Sequence, residues 1–344
     1  MAVAYDYDTA PQTLENELAD LLRSAKLQGR QARAVAARLG WDGGGSRTLA
    51  AAAVVEGYSR ERVRQLEERV RAHVRQSPPR GAATEAALRL IEDAAPLTSR
   101  DAAARLATAG VSQRPFDVEG VLSAAELFGL EHCIETGEGV ILRPAQSHLP
   151  AKAALLARRL VVRNGAGTIN ALSVELGGGT TPTEARLFLE LRGDVTWLDD
   201  HRTWFTIPGT GGRAVRTLRK MLSIAPSLTV SDIDNGLRRS LRPVVLPQEI
   251  VRLLCESQRW LRVDRDDDTV TAGTPLDQAR VLSPIERKLV AVFRRAGPTL
   301  TFSRALALAE HDDISTGSVR FYLSRTPLLH SRERGHYTLV GQAA

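Results

Sequence analysis

The sequence predicts a mainly α-helical chain with small β-hairpins, in which a helix-turn-helix module precedes four further modules of one shared layout. Three observations carry that reading. Residues 47–74 read as two helices joined by a tight turn. After Gly81 a pattern of helices closed by strand-turn-strand recurs four times, at a period of roughly 65 residues. Proline- and glycine-bearing breaks separate the copies.

Residues 1–10 are polar and acidic, have no helical pattern and are expected to fray. They do not resemble a signal peptide. Leu14 to Leu22 begins a helix with a leucine stripe, and Gln28 to Leu39 forms another that Gly40 ends. Asp42-Gly43-Gly44-Gly45-Ser46 is a flexible turn. Thr48 is a good N-cap for the alanine-rich helix that follows. Gly57 can take the left-handed conformation that closes it. Ser59 caps the next helix, in which Val63, Leu66, Val70 and Val74 recur at helical spacing and should face a core. Arg60, Glu61, Arg64 and Gln65 then fall on the other side, at about 100° per residue. Long hydrogen-bonding side chains at the start of a helix suit base edges in a major groove. The same spacing also fits a solvated helix laced by Glu–Arg pairs. Ser77-Pro78-Pro79-Arg80-Gly81 ends this helix.

The four copies open on helices at Ala86–Ile91, Ala153–Ala157, Val215–Leu222 and Ile285–Phe293, and shorter helices such as Thr229–Leu237 and Phe302–Ala309 follow. Their hairpins pair His132–Glu135 with Val140–Leu142, Val195–Leu198 with Thr203–Ile207, Trp260–Val263 with Thr269–Thr271, and Leu328–Ser331 with His336–Val340. The implied domains are 1–78, 82–146, 150–208, 212–273 and 282–344, with linkers near Ser77–Gly81, Ser147–Pro150, Gly209–Gly212 and Gly273–Leu282.

Three helices followed by a β-hairpin resemble the winged-helix arrangement. Thr48-Leu49, Gly57 and Ser59-Arg60-Glu61-Arg62-Val63-Arg64-Gln65-Leu66-Glu67, with Arg38-Leu39-Gly40-Trp41-Asp42-Gly43 upstream, resemble the end of region four of primary bacterial sigma factors. The resemblance spans residues 12–76 and implies promoter-DNA contact by the second helix, with RNA polymerase as a further partner. Ala50, Ala51 and Ala53 stand where that family has an acidic pair and a glycine. Nothing resembles the aromatic-rich sigma region that melts promoter DNA, so a complete sigma factor is not expected.

In the last copy, Ser315–Arg325 reads as a capped helix with Val319, Phe321 and Leu323 toward the core and Ser318, Arg320 and Arg325 polar. Arg332 and Arg334 on its hairpin suit phosphate contact. This module serves either DNA or protein contact. The third helices of the other copies are acidic or interrupted, at Asp117-Val118-Glu119, at Glu184 and Glu190, and at Pro243 and Pro247. Acidic faces repel phosphate, so these copies should pack together or bind protein.

A net charge of +6 over 344 residues suits a polyanionic partner, and 43% hydrophobic residues suffice for buried cores. Lys26, Lys152, Lys220 and Lys288 are the only lysines; the remaining cations are arginines, which favour bidentate contact with phosphate and guanine. Cys133 and Cys255 lie alone in apolar settings and are expected to be buried thiols, with no metal-binding spacing. Gly177-Gly178-Gly179-Thr180 and Gly209-Thr210-Gly211-Gly212 lack the Gly-Lys-Ser/Thr of a phosphate loop and read as loops. Asp264, Asp266, Asp267 and Asp268 could hold a cation but fit a solvated hairpin tip better. Catalysis, cofactor and metal are therefore not expected. No apolar run approaches the roughly 20 residues of a membrane span. These readings converge on a bacterial, cytoplasmic, nucleoid-associated transcription regulator that binds double-stranded DNA selectively, with a homo-oligomer compatible. The alternatives are an adaptor between RNA polymerase or a partner protein and the winged modules, or the DNA-binding part of a mobile-element defence or DNA-organising system.

Overall fold

A computed structural model describes residues 12–137, 139–331 and 333–342. The fraying expected over residues 1–10 lies outside the described residues. The described chain is mainly helical, with three-stranded antiparallel sheets, and divides into two compact units with the boundary between His148 and Leu149. No described helix is long and apolar enough to cross a membrane.

The first unit runs α1 (Leu14–Ser24), α2 (Arg30–Leu39), α3 (Leu49–Glu56), α4 (Arg60–Gln76), α5 (Ala82–Ala94), β1 (Leu97–Thr98), α6 (Ser99–Thr108), α7 (Val118–Phe128), β2 (Glu135–Gly137) and β3 (Val140–Leu142). A boundary at 78–82 does not separate two cores here. Leu14, Leu18 and Leu22 of α1 and Leu66, Val70 and Val74 of α4 share one apolar cluster with Leu88 and Ile91 of α5 and Val121 of α7. Polar contacts join the same segments. The Glu17 carboxylate accepts from the amides of Ala83 and Thr84 at 3.0 Å each and from the Thr84 hydroxyl at 2.7 Å. The Trp41 indole donates to the Ser123 hydroxyl at 2.9 Å, and that hydroxyl donates to the Leu39 carbonyl at 2.6 Å.

The second unit continues with α8 (Leu149–Asn164), β4 (Gly167–Thr168), α9 (Ile169–Leu176), α10 (Pro182–Glu190), β5 (Thr196–Trp197), β6 (Trp204–Thr206), α11 (Arg213–Ile224), β7 (Ser227–Thr229), α12 (Val230–Arg239), α13 (Gln248–Glu256), β8 (Leu261–Asp264) and β9 (Thr269–Ala272). It closes with α14 (Gln278–Val281), α15 (Pro284–Ala296), β10 (Thr299–Thr301), α16 (Phe302–His311), α17 (Thr316–Arg325), β11 (Leu329–His330) and β12 (His336–Leu339). Its copies interlock. Lys220 of α11 donates to the buried Glu286 carboxylate of α15 at 2.7 Å, and Gln278 donates to the Ser223 carbonyl at 2.6 Å. Arg239 of α12 donates to the Leu323 carbonyl and lies over the Tyr337 ring.

All four copies contain a strand that the sequence reading passed over. It follows the opening helix and pairs with the second hairpin strand, so each sheet has the order first–third–second. Its local signal is a threonine that ends the strand and caps the next helix. The hydroxyls of Thr98, Thr168, Thr229 and Thr301 accept from the amides of Asp101, Ala171, Asp232 and Arg304. Before that threonine stands Leu97, Leu228 or Leu300, opposite Ile141, Val270 and Tyr337 respectively. The second copy has Gly167 opposite Phe205. A Cβ on Gly167 would fall 2.5 Å from the Phe205 ring, so the ring occupies the space a leucine fills elsewhere.

Three local expectations need correction. The first hairpin strand begins at Glu135 rather than His132, which leaves Cys133 exposed before the strand, its amide donating to Glu92 at 2.6 Å. Cys255 is buried, and that burial pushes its thiol pKa up to about 12. Phe321 does not join the core stripe. Val319 and Leu323 do, one helical turn apart, and position 321 points about 200° from Val319 at 100° per residue.

Candidate nucleic-acid interface

The helix pair at α3 and α4 is built from local caps. The Thr48 hydroxyl accepts from the Ala51 amide, and the Ser59 hydroxyl from the Arg62 amide, at 3.2 Å each. Gly57 between them has φ +66°, where a side chain would be strained. From α2, Arg33 forms a two-pronged pair with Glu56 at 2.7 and 2.9 Å, which holds the Glu56 carboxyl below its usual pKa. Arg30 donates to the Glu56 carbonyl and lies 5.4 Å over the Tyr58 ring. The turn is thus clamped by α2 as well as by its own sequence.

On α4, Val63, Leu66, Val70 and Val74 are buried. Ser59, Arg60, Glu61, Arg64 and Gln65 are exposed. Arg64 reaches Glu61 at 2.7 and 3.0 Å, and Gln65 donates to the same carboxylate at 3.5 Å. The hydrogen bond from Arg64 lowers the Glu61 pKa, and the reciprocal bond raises that of Arg64. Farther along, Arg71 pairs with Glu67 and Arg75 with Glu68. The four side chains share one exposed face, on which Glu61 is bonded to Arg64 and Gln65. On α3, Val54 and Val55 are 81% and 53% exposed beside exposed Ala50 and Ala51, so this helix presents an apolar outer face.

In the last copy the candidate residues are dispersed. The half-buried Ser318 belongs to the cap of α17: its amide and hydroxyl meet the Ser315 hydroxyl at 3.3 and 2.9 Å. Arg320 and Arg325 are exposed on α17, and Arg334 is exposed on the hairpin; Arg332 lies outside the described residues. Arg325 and Phe321 turn toward the third copy, where they line a groove of about 380 Å³ with Arg213, Arg216, Lys220 and Arg242. Sequence reasoning missed those last four. Arg213, Arg216 and Lys220 stand at i, i+3 and i+7 on α11, a basic stripe visible in the sequence. Arg242 belongs to a loop with no comparable signal.

Of the aspartates of the third hairpin, Asp264 and Asp268 use their carboxylates within the fold. Asp264 accepts from the amides of Asp266 and Asp267, and Asp268 pairs with Arg252 at 3.1 Å.

No known protein family matches the chain, and no curated protein matches it.

Proposed function

We propose that the chain is a sequence-selective double-stranded DNA-binding protein, a bacterial transcription regulator that reads base edges with the start of α4. The observation that carries this reading is the exposed cluster of Arg60, Glu61, Arg64 and Gln65 on two successive turns, backed by the buried Val63 and Leu66. The resemblance to sigma region four falls on the same residues. Arginine and glutamine offer bidentate contacts to guanine and adenine, and Glu61 can accept from a cytosine amino group. The Glu61–Arg64 pair does not oppose this. An exposed ion pair contributes little in water, whereas a bidentate base contact is made in a desolvated groove. The layout of helix, strand, two helices and hairpin in each later copy supports reading those copies as winged-helix-like, and the packing of the third copy against the fourth supports a scaffolding role for that pair.

Binding-site selection from random duplex, followed by gel shift of the full chain, tests the proposal. Arg64→Ala should weaken the preferred site by roughly 5- to 150-fold and relax one base position. Equal binding of selected and random duplex by wild type, Arg60→Ala and Arg64→Ala would sink the assignment. The apolar outer face of α3 favours a second reading, an adaptor that docks RNA polymerase or a partner protein. In that case Val54→Ser with Val55→Ser abolishes partner capture, and duplex binding stays weak and unselective throughout.

A further inference from the structure

We infer that the groove between the third and fourth copies is a binding site for a nucleoside phosphate, either free or presented by a single nucleic-acid strand. The groove lies wholly within the second unit and does not depend on α4. It is lined by Arg213, Arg216 and Lys220 from α11, Arg242 from the following loop, and Phe321 and Arg325 from α17. Its volume of about 380 Å³ is in the range of small-ligand sites.

Charge gives the first half of the argument. Lys220 is neutralised by Glu286, at 2.7 and 2.9 Å. Glu286 also accepts from the Ser283 amide at 2.8 Å, so the carboxylate is committed to the fold. The guanidiniums of Arg213, Arg216, Arg242 and Arg325 make no hydrogen bond or ion pair among the described residues. Other arginines of the chain, such as Arg33, Arg64, Arg238, Arg265 and Arg295, are held in ion pairs; what marks these four is that they line one cavity together. Four uncompensated guanidiniums around one cavity repel one another, and a phosphate with its several acceptor oxygens relieves that repulsion through bidentate bonds.

The aromatic side supplies the second half. Phe321 is 43% exposed although it is large and apolar, and Leu241 beside it is 54% exposed. The Phe321 ring meets Tyr322 edge-to-face, 5.5 Å between centroids. An exposed ring beside unpaired arginines matches the chemistry of a base stacked near its own phosphate. An inorganic anion would use the arginines and ignore the ring. A duplex would not use the ring either, because its bases are already stacked.

Fluorescence anisotropy of the full chain tests this, with a fluorescein-labelled decathymidylate as probe and unlabelled thymidine monophosphate and inorganic phosphate as competitors. Phe321→Ala should weaken the strand by roughly 5- to 150-fold without changing the salt slope. Phe321→Tyr should retain affinity. Arg216→Ala with Arg242→Ala should weaken binding and reduce the salt slope by about 1.4, from about 0.7 per phosphate. Displacement by thymidine monophosphate identifies the free nucleotide as sufficient; displacement only by unlabelled strand identifies the strand as the ligand. Thermal melting of each variant reports retention of fold, expected because the altered side chains are solvent-facing. Unchanged binding in folded Phe321→Ala, or displacement of the probe by inorganic phosphate at the concentration at which thymidine monophosphate displaces it, would overturn the inference. Neither result bears on duplex recognition by α4, which is read by separate variants.

Discussion

Glu17 shows how one side chain can set the join between two sequence segments. Its carboxylate is 6% exposed and accepts three hydrogen bonds at the start of α5, from Ala83, Thr84 and the Thr84 hydroxyl. The first turn of a helix has amides without intrahelical partners, and Gly81 provides no side chain to cap them. Glu17 thus acts as a cap contributed from 66 residues away. Glu17→Ala leaves those donors buried without acceptors. It should destabilise the first unit by about 2–3 kcal/mol, measured by urea unfolding. A loss typical of surface substitutions, within about 0.5 kcal/mol, would mean that water satisfies the α5 amides instead. Local caps such as Thr48, Ser59 and Ser315 were legible in the sequence because cap and helix are adjacent. Glu17 was not, because its position in a leucine-rich amphipathic helix gives no sign of a distant partner. Phe321 was misread for the opposite reason: an aromatic residue between two core positions was assigned to the core by type, whereas its helical phase places it outside.

At the scale of elements, the four small sheets show one construction with one exchange. Leucine in the first strand opposes Ile141, Val270 or Tyr337 in three copies, and in the second copy glycine opposes Phe205. Phe205 is fully buried, so its ring has replaced the missing leucine side chain in the packing. Cross-strand pairs are the unit in which small sheets are stabilised, and the residues of such a pair should depend on each other. Gly167→Leu should cost about 1–3 kcal/mol by overpacking against that ring. Phe205→Val alone should cost about 3 kcal/mol or more through the cavity it leaves. The double substitution rebuilds the Leu–Val pair of the third copy and should be less damaging than the two losses added together. A double-mutant cycle on thermal or urea unfolding measures this, and strict additivity would show that the two positions do not share space. The hairpins were legible because they alternate short β-rich runs with polar turns. The first strands escaped because they are two or three residues long, below the length at which periodicity is visible. The Leu–Thr step before the helix in three copies, and the capping threonine in all four, are the signals that would have revealed them. The basic stripe of α11 was equally visible, but its meaning depends on Phe321 and Arg242, which only the fold brings beside it.

For the whole molecule, the question is where the chain can be cut. Composition points to Ser77–Gly81, a Pro-Pro-Arg-Gly segment at the end of a long helix. The packing argues otherwise. Proteolysis at a linker needs a local opening, and its cost follows the buried contacts that must be released. Around 77–81, α1 and α4 share an apolar cluster with α5 and α7, and Glu17 ties α1 to the first turn of α5. The loop after α2 is tied to α7 through Trp41, Ser123 and the Leu39 carbonyl, and to the preceding loop through Arg114 and the Asp42 carbonyl at 2.6 Å. A nick there would not free residues 12–76, because their core is completed by residues 83–141. Near Ser147–Pro150 the situation differs: the boundary between the two compact units falls between His148 and Leu149, and the neighbouring 3-10 turn at Pro144–Gln146 has no buried side chain. Limited digestion should therefore yield a fragment ending near residue 148 that unfolds cooperatively. A nick at Arg80, if trypsin makes one, should leave the two pieces associated under native conditions and separable only in denaturant. Within the second unit, the Lys220–Glu286 pair and the Arg239 contacts join the last two copies, so removing residues after Gly273 should expose the apolar surface of α11 and α12 and promote aggregation. Point substitutions rather than truncations are for that reason the sound way to assign the last copy. Native mass spectrometry after digestion decides the matter: a free, folded fragment of residues 12–78 would show that the shared core contributes too little to hold the first unit together.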